Sequence, residues 1–180
     1  MSLSIEAVRA FDPEQKIHSF DEMPGLITAL GRAGIQVILA QGAFDIVHLG
    51  HVGYIRAAGQ IDPRSSVVAI GVDSDEAVQA NKGPARPINP VQDRVRFLAE
   101  FVSAGLVFAY EDVPDYNDPD SYDVRFGVLR AVTLAVPPWD PHLHLKQQQA
   151  DRVGMQVAYV DAPLIQQSST RILELLEAKY

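Results

Sequence analysis

Apolar residues gather in five short runs along the chain, at 35–40, 66–72, 106–110, 132–136 and 156–160. Most are apolar at consecutive positions, as in Val67-Val68-Ala69-Ile70, rather than at alternate ones. A strand with one face in water alternates, so this pattern predicts parallel strands covered on both faces. Between the runs the spacing predicts helices over 20–33, 52–60, 73–80, 90–101, 121–130, 145–153 and 170–178. Such regular alternation predicts an α/β fold: a doubly wound, Rossmann-like parallel sheet of about five strands. The 180 residues are expected to form one domain over 1–180, with 1–15 as an N-terminal extension.

The polar interruptions carry the chemistry. The first run ends in Gly42-Ala43-Phe44-Asp45-Ile46-Val47-His48-Leu49-Gly50-His51, where a strand hands over to a helix. Helix N-termini leave N–H groups unpaired and carry positive partial charge, which suits phosphates. Glycine lets the backbone approach an anion closely, and imidazoles can donate to it. A lone histidine here would read as a cap or a core residue. Two histidines with glycine, Phe44 and Asp45 at one junction favour a phosphate site.

Two further segments can reach the same place. Ser168-Ser169-Thr170-Arg171-Ile172 opens the last predicted helix, and its hydroxyls are either ordinary N-caps or ligands of a polyphosphate. In a parallel sheet, the loops before the second and last helices can meet at the carboxyl edge, near a topological switch point. The proline-rich stretch 81–90 carries Lys82 and Arg86, and Arg94 follows one turn into the next helix. Such cations are often only solvated surface, yet after the second strand they can neutralise a transferring phosphoryl group. Asn89 is expected as that helix's N-cap with Pro90 at its first position. The acidic stretch 111–120 is expected to be a solvated loop.

Composition narrows the partners. With 47% apolar and 21% charged residues the chain is ordinary globular protein. A net charge of −8 argues against nucleic acid or an anionic membrane as partner. Cysteine is absent, which excludes disulfides and thiolate metal sites. No apolar stretch is long enough to span a bilayer, and the first residues lack a secretory pattern. A cytoplasmic location is the resulting expectation.

Taken together, these motifs resemble the nucleotidyltransferase superfamily of the cytidylyltransferase type. Its H-x-G-H signature stands as His48-Leu49-Gly50-His51, and its terminal serine/threonine signature as Ser168-Ser169-Thr170-Arg171-Ile172. Within that superfamily the chain most resembles the adenylyltransferase domain of bacterial heptose-phosphate biosynthesis, over 16–100 and again from Ser168. The resemblance implies transfer of a nucleotidyl group, AMP rather than CMP, from ATP or CTP to a sugar or polyol phosphate, releasing pyrophosphate. It implies catalytic roles for His48, His51 and Lys82. Gly42, Ala43, Phe44, Asp45, Arg94, Ser168, Ser169 and Thr170 would bind the nucleotide, Asp45 either orienting the loop or assisting a divalent ion. Mg²⁺ is the implied cofactor, needing no dedicated protein site because phosphates and water hold it. A homo-oligomer is the implied assembly.

One segment departs from the pattern. Heptose-phosphate adenylyltransferases carry a Lys-Gly-Gly-Asp-Tyr-like stretch after the fourth strand, where this chain has Val136-Pro137-Pro138-Trp139-Asp140. The prolines remove two backbone donors and fix φ, so this loop cannot cradle an anion in the same way. Arg86, Trp139, Asp140 and His142 are then candidates for a different acceptor wall, while Trp139 could equally pack on the sheet edge. Two readings follow: a working enzyme with an altered acceptor, or a nucleotide-binding relative serving as sensor or subunit. Retention of both histidines, Lys82, Arg94 and the Ser-Ser-Thr cluster favours the enzyme.

Overall fold

Consecutive apolar residues do become strands buried on both faces: every residue of Ser66–Val72 is buried. The computed structural model describes residues 12–129, 132–138, 140–161 and 169–177. Six parallel strands form one sheet: β1 (Ile17–His18), β2 (Gln36–Gly42), β3 (Ser66–Val72), β4 (Leu106–Ala109), β5 (Thr133–Val136) and β6 (Gln156–Tyr159). The helices are α1 (Met23–Arg32), α2 (Leu49–Ala58), α3 (Asp75–Lys82), α4 (Val91–Ala99), α5 (Asp123–Leu129), α6 (Leu143–Val153) and α7 (Ser169–Glu177). The sheet order is β1-β4-β3-β2-β5-β6.

Successive side chains of a strand point to opposite faces, and β2 sorts the core accordingly. Val37 and Leu39 join Met23, Ile27 and Leu30 of α1 and Phe126 and Leu129 of α5. Ile38 and Ala40 join Ile55 and Ala58 of α2 and Val95 and Leu98 of α4. Helices therefore cover both faces, the doubly wound arrangement. None of the described helices is long and apolar enough to cross a membrane.

Several boundaries differ from the sequence reading for local reasons. The sixth strand, β1, pairs only Ile17 with Val107 and His18 with Phe108, too little chain to leave a periodic signal. The helix expected from 20 begins as a 3-10 turn, Phe20–Glu22, closed by the Ser19 N–H donating to Glu22 Oε2 at 2.8 Å. Helix α2 starts earlier than expected because His48 caps it. Pro90, not Asn89, is the N-cap of α4, since the Asn89 amide is diverted to the Asp45 carbonyl at 2.5 Å.

The topology fixes where a ligand can enter. From β2 the chain steps through β3 to β4 on one side, then places β5 against the other side of β2. The loops after β2 and β5 thus diverge at a switch point, where open parallel sheets form a crevice.

Candidate functional site

The loop leaving β2 turns sharply. Phe44 adopts φ 49, a left-handed conformation that costs a bulky residue about 1–3 kcal/mol and is found mainly at functional sites. Its ring is 2% exposed and meets the edge of His51, with centroids 5.1 Å apart. Next, His48 caps α2: its Nδ1 accepts the Gly50 N–H at 3.1 Å. Accepting through Nδ1 leaves the proton of the neutral ring on Nε2, the nitrogen available to a ligand. The His48 and His51 rings stack at 3.9 Å.

Both imidazoles are held neutral. Burial lowers the pKa of His48, and burial, then electrostatic repulsion between the two rings and from Lys82, pushes His51 down to about 3. They act as hydrogen-bond donors rather than cations. His51 Nδ1 is buried without a partner, an unmatched polar atom of the kind that marks functional sites.

A stability consequence follows. Unfolded imidazole titrates near 6.5 and folded His51 near 3, so between these values the unfolded chain binds the extra proton. Stability therefore rises with pH across that window and is lost as pH falls from 6.5 toward 3, by up to ~1.4 kcal/mol per pH unit. His51→Asn should flatten this slope. Calorimetric Tm values from pH 6.5 down to about 4.5 check it; equal acid sensitivity in both proteins would contradict it.

The cations separate into one that is available and two that are not. Lys82 closes α3, lines the cleft beside Gly42 and Ala43, and forms no ion pair among the described residues. The residue is exposed, yet crowding around its ammonium lowers its pKa. Burial is the main cause and Arg86 and Arg94 add to it, while Asp73 and Asp45 oppose.

Arg86, expected against the acceptor, is instead buried with its Nε on Asp45 Oδ2 at 2.6 Å. The other Asp45 oxygen accepts the N–H groups of Ile88 and Asn89 at 2.8 and 2.9 Å. Both Asp45 oxygens are thus engaged within the loop, as its loop-orienting role would require.

Arg94 departs from expectation too. It borders a hollow with Phe44, Asp93 and Phe97, yet its donors are turned inward and it is only 2% exposed. They reach the carbonyls of Ala43 (2.5 Å), Asp73 (2.8 Å) and Asn89 (3.0 Å) and the Asp75 carboxylate (2.6 Å). Arg94 ties loops together and has no free fork for phosphate.

A cleft of about 160 Å³ opens at the carboxyl edge beside Gly42, Ala43 and Lys82. His142, a candidate for the acceptor wall, lines it. Asp140 does not reach it as a free carboxylate. One oxygen accepts the His142 N–H at 2.8 Å, and the other pairs with Lys146 at 2.6 Å, starting α6. Trp139 and Ser168 lie outside the described residues. Ser169 and Thr170 open α7, as the terminal motif predicts.

Part of the cleft wall is absent from the sequence reading. The stretch 111–120 is not simply solvated: the Tyr116 hydroxyl donates to Asp73 Oδ2 at 2.6 Å. Arg125 donates from Nη1 to Asp73 Oδ1 at 2.8 Å and from Nη2 to Asp112 at 2.8 Å, over the Tyr110 ring at 3.5 Å. Tyr110 fills the space a Cβ on Gly71 would take, and its hydroxyl donates to Gln41 Oε1 at 3.1 Å. Gln149 of α6 completes the wall. The available signal was a tyrosine inside an acidic run followed by one arginine, Arg125, in an otherwise cation-free segment.

Comparison with known proteins places the chain in a family. The model of the cytidylyltransferase-like family matches residues 39–174. The bifunctional protein HldE of a Nitratiruptor species is 34% identical over 111 residues, which are 62% of this chain and 23% of that protein. The bifunctional protein HldE of Hahella chejuensis is 40% identical over 79 residues, 44% of this chain and 16% of its own length. The chain thus spans less than a quarter of the length of these curated relatives. Among solved structures, the lipopolysaccharide core biosynthesis protein from Thermoplasma volcanium superposes with a TM-score of 0.54 at 16% identity. That match covers 72% of this chain and 99% of the other, a likeness of fold.

Proposed function

Because this chain belongs to the cytidylyltransferase-like family, we propose that it transfers a nucleotidyl group from a nucleoside triphosphate to a sugar or polyol phosphate. The observation that carries the reading is the stacked, neutral His48–His51 pair at the N-terminus of α2, with Lys82 beside the same loop. Two uncharged donors, a helix N-terminus and one unpaired ammonium suit a polyphosphate. ATP is preferred over CTP because the likeness is to heptose-phosphate adenylyltransferases.

In the proposed reaction an oxygen of the acceptor's phosphate attacks the α-phosphorus in line. The bond from that phosphorus to the β-phosphate oxygen breaks, and pyrophosphate leaves with the electron pair. No covalent enzyme intermediate is involved, so positioning and charge stabilisation supply the rate. His48 donates from Nε2 to oxygens whose charge grows, and His51 supports it through the stack. Lys82 bridges the acceptor phosphate and the triphosphate.

Mg²⁺ would enter as part of the substrate, the Mg-nucleotide, and would offset the charge of its phosphates. The chain has little to add as ligand: Asp45 and Asp73 are engaged by Arg86, Arg125 and Tyr116. Among the described residues no group of three or more acidic or histidine side chains could hold a metal.

Pyrophosphate release from MgATP and MgCTP, across a panel of sugar and polyol phosphates, tests the proposal. Release that requires one of these acceptors is expected. Nucleotide binding with no release for any acceptor would overturn it in favour of a sensor or subunit.

A further inference from the structure

The cleft beside Lys82 is polar, small and uneven in charge. Its inner wall holds one guanidinium between two carboxylates, since Arg125 is shared by Asp73 and Asp112. Of these three, Arg125 and Asp73 line the cleft, and their charges offset each other there. Burial and the Asp73 carboxylate keep the Tyr116 hydroxyl protonated on its partner. Lys146 is matched by Asp140. Among the described residues, the lining cation without an ion pair is Lys82, at the end bordering Gly42 and Ala43. A phosphate suits that end, and the other end offers no second unpaired cation among the described residues.

Two amides mark what the other end takes. Gln149 is 3% exposed, lines the cleft, and its Oε1 is buried with no hydrogen-bond partner. Gln41 lines the same cleft; its Oε1 is occupied by Tyr110, and its NH2 makes no hydrogen bond among the described residues. One amide offers an acceptor and the other a donor. A hydroxyl is both, so hydroxyls fit where a carboxylate or an ammonium would leave one amide unmatched. A volume of about 160 Å³ falls below the usual range of drug-sized pockets and suits a small ligand body.

We propose that this cleft is the acceptor subsite and that Gln149 is a specificity residue in it. Its Oε1 accepts a hydrogen bond from a hydroxyl of a small, uncharged polyol or sugar body whose single phosphate lies at Lys82. The proposal rests on the nucleotidyl-transfer reading for the name acceptor, and on the cleft itself for the chemistry.

Gln149→Leu tests it, with Gln149→Met as a second variant of similar volume. Oε1 has no partner among the described residues, so neither change removes a hydrogen bond seen at that atom, and Tm should hold. Glycerol 3-phosphate, ribose 5-phosphate and ribitol 5-phosphate are titrated calorimetrically, with inorganic phosphate and MgATP as controls. The expected result is about tenfold weaker binding of the tightest of the three to both variants, with the controls unchanged. Equal binding to wild type and variants would overturn the proposal. So would a wild type that binds none of the three better than inorganic phosphate. Because binding is read without turnover, Gln149-dependent binding with no pyrophosphate release would sink the transfer reading and leave the subsite standing.

Discussion

His48→Ala is expected to lower kcat by about 10²–10³-fold while MgATP affinity changes by no more than a few-fold. The asymmetry follows from where the proton sits. With Nδ1 on the Gly50 N–H, the neutral ring presents Nε2–H, a donor fixed in place before substrate arrives. Such a donor gains most from oxygens whose charge grows during the reaction, so its loss falls on turnover. The substitution also removes the cap of α2, worth about 1 kcal/mol, too little to unfold a domain of this size. His48→Asn can keep a cap while losing the imidazole, and should be as slow as alanine. Steady-state kinetics beside calorimetric nucleotide binding decide the matter. Comparable losses in kcat and in affinity would remove the catalytic role.

Asp45→Ala is expected to cost about 3–5 kcal/mol of stability, or a fall in Tm of roughly 10 °C. Its carboxylate is fully enclosed, and deleting it strands the buried Arg86 charge and two backbone N–H groups. Arg86 already has Nη2 buried without a partner, so little can replace the lost bond. Removing both charges should be milder than removing one: Asp45→Ala with Arg86→Met should recover a good part of the loss. Thermal unfolding of the three variants provides the check. A single variant melting within about 2 °C of wild type would show that the clamp contributes little. Adding chelator should leave wild-type Tm unchanged, since both oxygens serve the loop.

What could be read from the chain was whatever is local. β2 and β3 announce themselves because burial on both faces makes every position apolar, whereas β1 spends two residues on an edge. The histidines and glycine of the β2 loop were legible because their partners lie within a few residues. Charge was legible, but pairing was not. Arg86 and Asp45 lie 41 positions apart, and nothing in either neighbourhood tells that one neutralises the other. Asp112 and Tyr116 read as solvated for the same reason, since the Arg125 and Asp73 groups that engage them come from α5 and the β3 exit. Gln149 stands in the polar run Gln147-Gln148-Gln149, which carries no local sign of burial. Only the packing of α6 on the sheet turns it inward.

The planar fork of Arg94 gives three loops one stiffness. Its four contacts span the β2 exit at Ala43, the β3 exit at Asp73 and Asp75, and the approach to α4 at Asn89. One rigid planar group makes all four contacts, so the loops cannot shift separately without breaking them. The framework around the histidines should therefore hold its shape while individual groups gain or lose protons. A lysine at that position, with three donors radiating from one point, would leave the loops to fluctuate independently.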